Sequence, residues 1–151
     1  GGGLQIALAA DLRMTTADAQ WSVLEAKWGL VPDMSGIQAL SQQVRMDVAK
    51  RLTMTGEVVS GERAVDLGLA SEVHADPVAA ATAFIEQVAT RSPDAVAATK
   101  RLFGRTWSSS DRRTFARERI EQAKLLATKN TTIAREAAMK RAVPAFDPRR
   151  R

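Results

Sequence analysis

Apolar positions recur at helical spacing over most of this chain, and only its first half carries short alternating stretches. Gly1, Gly2 and Gly3 run directly into Leu4, Ile6, Ala7, Leu8, Ala9 and Ala10, which predicts a helix entered through glycines. "LRMTTADAQWSV" alternates, predicting short strands over 12–15 and 19–23 around a turn at Ala17-Asp18. "LEAKWGLVPDMSG", broken by Gly29, Pro32 and Gly36, reads as loop and turn. Helix resumes over 34–44, with Ile37, Leu40 and Val44 on one face and Asp33 where an N-cap belongs. A second helix covers 47–54 and ends at Gly56. A short strand, a helix capped by Ser60 and stopped by Gly68, and another short strand reach His74. Four more helices are predicted over 77–90, 92–104, 109–128 and 131–141, with Ser108 and Asp111 as a capping box for the longest. The pattern is thus α/β over 1–75 and all-helical over 76–151, with no internal repeat and no low-complexity linker.

Composition narrows the chemistry. A chain of 151 residues is normally one domain with a real core. With no cysteine it has neither a disulfide framework nor a thiolate-ligated metal, and it fits a reducing cytosol. Its single histidine, His74, argues against a His-rich metal site and against a Ser-His-Asp triad. No apolar stretch approaches the roughly 20 residues of a membrane span. Charge is divided: residues 1–100 carry 8 Lys/Arg and 12 Asp/Glu, while 101–151 carry 14 and 5, so nets of −4 and +9 give the overall +5. A basic C-terminal third suits phosphate-rich ligands, acidic neighbours or nucleic acid, or simply solvated helix faces. Few aromatics and no stacking platform weigh against nucleic acid.

Three glycines at a helix entrance call for a reason, since each costs about 1 kcal/mol relative to alanine inside a helix. Either the backbone turns where side chains forbid it, or something approaches it closely. The second case leaves unpaired N–H groups facing a partner that carries negative charge.

The order of landmarks carries a resemblance. "GGGLQIALAADLRMTTADAQWSVLEAKWGLVPDMSGIQAL" followed by "MTGEVVSGERAVDLGLASEV" is similar to the second half of a crotonase (enoyl-CoA hydratase/isomerase) superfamily member, over residues 1 to about 73. The landmarks are the glycine-rich helix entrance, "AAD", "AQW", the Glu-containing loop, "GLVPD" and "TGE…S…A…LGL". The resemblance implies a crotonase-like (ββα superhelix) C-terminal portion, followed by helices that build oligomer contacts and help cover the coenzyme A site. Family members begin well upstream, and this chain starts in mid-motif without a methionine. It is therefore expected to be the C-terminal part of a longer protein and inactive alone.

By the same resemblance, the Gly2 N–H is an oxyanion donor to an acyl-CoA thioester oxygen, with the second donor upstream. Glu25 is the acid/base. Hydratases of the family place a second glutamate twenty residues earlier, where this chain has Gln5, an amide that takes no proton at neutral pH. Asp33, eight beyond Glu25, matches a third acid found in dienoyl-CoA isomerases. Glu25, Gly2 and Asp33 are thus the candidate catalytic residues, and Gln5, Gly1, Gly3 and Trp28 the candidate substrate-binding ones. Read without the resemblance, Glu25 beside Lys27 is a solvated pair, Asp33 a helix cap, and Trp21 and Trp28 core or pocket wall.

The expected function is an enoyl-CoA isomerase or hydratase acting through an oxyanion-stabilised enolate. It needs no metal and no cofactor beyond the coenzyme A of its substrate. A homotrimer or hexamer, a cytoplasmic location, no membrane and no nucleic-acid partner complete the expectation. The alternative is a CoA-binding or scaffold homologue without efficient catalysis, RNA-associated through the basic tail. One retained glutamate is the minimum for chemistry and separates the two.

Overall fold

The computed structural model describes residues 1–149. They form two compact units, 1–82 and from Ala83 onward, and the division falls within helix α5 (Pro77–Ala89).

The first unit holds α1 (Gly2–Ala7), β1 (Met14–Thr15), a 3-10 helix (Leu24–Trp28), α2 (Gly36–Gln43), α3 (Met46–Thr55), α4 (Gly61–Leu67) and β2 (Glu72–Val73). Its core is Leu4, Leu8, Val23, Leu40, Leu52, Ala64, Leu69 and Ala70, drawn from helices α1 to α4 and the segments between elements. Burying each large aliphatic side chain contributes about 1.5–3 kcal/mol. Leu4 and Leu8 lie four residues apart, so they present one face of the α1 turn to that core.

The strand expectation needs correction. β1 pairs in parallel with β2, Met14 opposite Glu72 and Thr15 opposite Val73, and residues 19–23 form no strand. Trp21 instead makes a single antiparallel bridge with Val59, exchanging two N–H···O bonds of 2.9 Å. A tight turn cannot join parallel strands, so β1 waits for a partner beyond α4. The stretch read as loop also contains structure. Leu24–Trp28 winds into the 3-10 helix and stops at Gly29, whose φ is +69°.

Local signals succeed where the cap is local. Ser60 Oγ accepts from Arg63 N at 3.1 Å, and Gly68 ends α4 at φ +86°. Gly61 is forced by contact: a Cβ there would lie 1.8 Å from the Thr16 carbonyl oxygen, so α4 starts directly against that backbone.

In the second unit lie α6 (Pro93–Thr106), α7 (Asp111–Leu126) and α8 (Lys129–Lys140). Ser92 caps α6 and Thr128 caps α8. The N-cap of α7 is Ser110, without a side-chain bond, so the Ser108–Asp111 capping box does not form. The buried Asn130 amide fastens the tail: it donates to Asp94 Oδ2 at 2.8 Å and to the Asp147 carbonyl at 3.0 Å, and accepts from Asp147 N at 2.9 Å. Glu121, 8% exposed, accepts from Arg101 at 2.7 Å. That hydrogen bond, ahead of the Coulombic pull of Arg101 and Lys124, outweighs desolvation and holds the Glu121 carboxyl below the usual carboxylate range. No helix among the described residues is long and apolar enough to cross a membrane.

Candidate active site

The glycine run borders a cleft of about 420 Å³. Gly1, Gly2 and Gly3 line it with Leu4, Ala7, Gln20, Trp21, Ser22, Leu24 and Val58. Gly1 is the N-cap of α1 and provides no side-chain cap. Its carbonyl accepts from Leu4 N at 2.9 Å and Gln5 N at 3.3 Å, so the N–H groups of Gly2 and Gly3 lie ahead of the hydrogen-bond ladder. The positive end of a short helix therefore opens on a cleft whose other walls are largely apolar.

One turn further along α1, the Gln5 side chain points inward and is 5% exposed. Its Nε2 donates to Glu25 Oε1 at 2.7 Å. Its Oε1 accepts from Met34 N at 2.9 Å and Gly36 N at 3.1 Å. These bonds explain how α2 begins. Ser35 occupies the N-cap at φ +66° and makes no side-chain cap bond, so the Gln5 oxygen does the capping from α1. The helix accordingly starts at Gly36 rather than Met34, and Asp33 is not its cap. Gly36 is required there, since a Cβ would sit 2.6 Å from Gln5 Oε1 and 2.8 Å from Pro32 Cβ.

Glu25 lies on the 3-10 helix, 9% exposed. Its two oxygens differ. Oε1 is held by Gln5, whereas Oε2 is buried without a hydrogen-bond partner. Oε2 is 4.0 Å from the nitrogen of Gly1, a residue of the cleft lining. A buried acceptor left unmade costs about 1–3 kcal/mol and calls for an explanation.

The structure thus brings Gly1, Gln5 and Glu25 together, and sets Gly2 and Gly3 along the adjoining cleft. Neither Gln5 nor Glu25 lines that cleft. Asp33 is exposed, with no hydrogen bond or ion pair among the described residues. Trp28 is 69% exposed, away from the cleft wall, with the Lys27 ammonium 5.5 Å from its ring centroid. Trp21 is the tryptophan that lines the cleft, its Nε1 donating to Thr15 Oγ1 at 3.0 Å. Gly36 escaped the sequence reading as a site residue. Its signal was a glycine at the first position of a helix, where a cap from another element must fit.

Comparisons with known proteins bear on the family of the chain. The family model for enoyl-CoA hydratase/isomerase matches residues 1–147. The (E)-benzylidenesuccinyl-CoA hydratase of Thauera aromatica is 39% identical over 103 residues, covering 66% of this chain and 40% of that protein. A probable enoyl-CoA hydratase of Bacillus subtilis (strain 168) is 35% identical over 100 residues, covering 64% and 39%. Among solved structures, an enoyl-CoA hydratase from Mycobacterium tuberculosis H37Rv superimposes with a TM-score of 0.90 at 31% identity, covering 97% of this chain and 59% of that one. An enoyl-CoA hydratase from Polaromonas sp. JS666 gives 0.91 at 28% identity, covering 97% and 58%. The matches therefore span about two fifths of the length of these curated relatives.

Proposed function

Because the chain belongs to the enoyl-CoA hydratase/isomerase family, we propose that it forms the C-terminal part of an acyl-CoA enzyme acting on the double bond of an enoyl thioester. The observation that carries this reading is the buried Oε2 of Glu25, without a hydrogen bond and 4.0 Å from the nitrogen of Gly1, which lines the glycine cleft. In this reading the Glu25 carboxylate removes a C2 proton from a 3-enoyl-CoA through Oε2. The C–H electrons move into C1–C2, the negative charge gathers on the thioester oxygen, and the C3=C4 electrons become delocalised with it. The Gly2 N–H, ahead of the helical ladder, donates to that oxygen. Glu25 then returns the proton to C4, leaving the double bond at C2=C3.

One carboxylate suffices for this shuttle, whereas water addition asks for a second group to handle the water. Gln5 supplies no second acid, which supports migration over hydration in this reading. A second oxyanion donor and part of the coenzyme A site come from a preceding segment in the proposed whole. No metal or redox cofactor enters the scheme, and the coenzyme A arrives with the substrate. The basic helices α7 and α8 suit coenzyme A phosphates or an acidic surface of a neighbouring copy in a homotrimer or hexamer, in the cytoplasm.

The test uses the full-length protein carrying this chain, supplied with 3-enoyl-, 2-enoyl- and 2,4-dienoyl-CoA. Interconversion of 3-enoyl- and 2-enoyl-CoA faster than hydration is the expected result. Acyl-CoA binding without turnover of any of the three would replace the enzyme reading with a scaffold.

A further inference from the structure

We propose that Gln5 is a positioning residue that couples the start of α2 to Glu25 and decides which carboxylate oxygen is free to react. The inference rests on the reading of Glu25 as the proton carrier. Three bonds fix the orientation of the Gln5 amide. Its oxygen must face the N–H groups of Met34 and Gly36, because an NH2 group there would oppose two donors. The NH2 end is then turned toward Glu25 Oε1, at 2.7 Å. Both lone pairs of the amide oxygen are used, so that oxygen has nothing left to offer a thioester or a water.

The consequence runs in both directions along the chain of contacts. Glu25 is pinned through Oε1, leaving the buried Oε2 as its oxygen without a hydrogen bond. The turn Met34–Gly36, 29 to 31 residues beyond Gln5 in sequence, is the anchor of that pin. Besides the Gln5 amide, the Gly1 nitrogen lies 4.0 Å from Oε2. Lys27, two residues along the 3-10 helix, lies over Trp28, and among the described residues Asp33 bonds to neither side chain.

Gln5→Glu separates positioning from capping in the full-length protein. A glutamate at this position keeps an oxygen for the Met34 and Gly36 N–H groups, so the cap survives. Its other oxygen meets Glu25 Oε1 at hydrogen-bond distance, where two carboxyl groups stand together only by sharing a proton. While that proton is held, the new carboxyl donates to Oε1 as the amide did. Once it leaves, the two repel and Glu25 moves.

The expected result is a variant with the wild-type melt, near-wild-type kcat at the acid end of the pH profile, and a loss on the order of 10- to 100-fold as pH rises. The wild type should show no such step, and KM should change little. Coincident pH profiles of Gln5→Glu and wild type would overturn the proposal, provided Glu25→Gln abolishes activity. An active Glu25→Gln would overturn the underlying reading of Glu25 instead. If Gln5→Glu does not fold, Gln5→Met decides: a fall in kcat on the order of tenfold or more at unchanged KM supports positioning, and wild-type kcat defeats it.

Discussion

Replacing Gly36 by alanine reaches Glu25 without touching it. The new Cβ would sit 2.6 Å from Gln5 Oε1, 2.9 Å from Gln5 Cδ and 2.8 Å from Pro32 Cβ. Non-bonded heavy atoms settle at about 3.5 Å, so the Gln5 oxygen must retreat by about 0.9 Å. That retreat carries its 2.9 and 3.1 Å bonds to Met34 N and Gly36 N beyond useful range. Losing two such bonds costs about 1–3 kcal/mol net, offset by up to about 1 kcal/mol for alanine over glycine in a helix. The Pro32 contact adds strain, because a ring carbon yields less than the end of a glutamine. A net loss of about 1–3 kcal/mol in a denaturant melt is expected. The effect on kcat should be larger, on the order of 10- to 100-fold, because Glu25 loses the donor that fixes it. Measuring Gly36→Ala, Gln5→Ala and the double variant closes a cycle. With Gln5 truncated only the Pro32 contact remains at residue 36, so Gly36→Ala should still cost stability but almost no further activity. Wild-type kcat in Gly36→Ala, or an equal loss with and without Gln5, would show that the cap does not reach the carboxylate.

Other positions give independent checks. Gly61→Ala places a Cβ 1.8 Å from the Thr16 carbonyl oxygen; because backbone must move, it should lose about 3 kcal/mol or more in a thermal melt, and an unchanged melt would contradict that packing. Asp33→Asn should leave the melt within about 0.5 kcal/mol of wild type, since Asp33 is exposed and caps nothing. A selective loss of dienoyl-CoA turnover in the same variant would bring Asp33 into the mechanism. Glu121 supplies a pH test: its lowered folded pKa means that the charged form stabilises the fold, fully so above the ordinary value of 4.5, and that this stabilisation is lost as pH falls through the lower folded value. Melts of wild type and Glu121→Gln across that acid range should converge as pH falls, and a constant gap would remove Glu121 from the acid response.

How much of this was legible in the residues depends on how local each cause is. Ser60 and Gly68 bracket α4 as their types predict, because both the cap and the stop act within one turn. The sequence starts α7 two residues early, because any of the three serines 108–110 satisfies the local rule and only the structure chooses Ser110. β1 was visible as an extended stretch, yet its partner lies 58 residues along, which no turn signal announces. The site shows the same divide. The spacing of Gln5 and Glu25 pointed to them through the family resemblance, and they do meet, at 2.7 Å. What spacing did not convey was that the Gln5 oxygen is committed to α2. Asp33 stood where a local capping residue belongs, but a cap from another element had already taken those N–H groups.

The measurement that bears most directly on Glu25 is the rate of 3-enoyl- to 2-enoyl-CoA conversion by the full-length protein with Glu25→Gln. Glutamine keeps the size of the side chain and an oxygen to accept from Gln5 Nε2, so the fold and acyl-CoA binding should persist. It cannot carry the proton. The expected result is a fall of about 10²–10⁴-fold in kcat, with the melt and acyl-CoA affinity close to wild type. Conversion at the wild-type rate by Glu25→Gln would contradict the assignment of this carboxylate as the proton carrier.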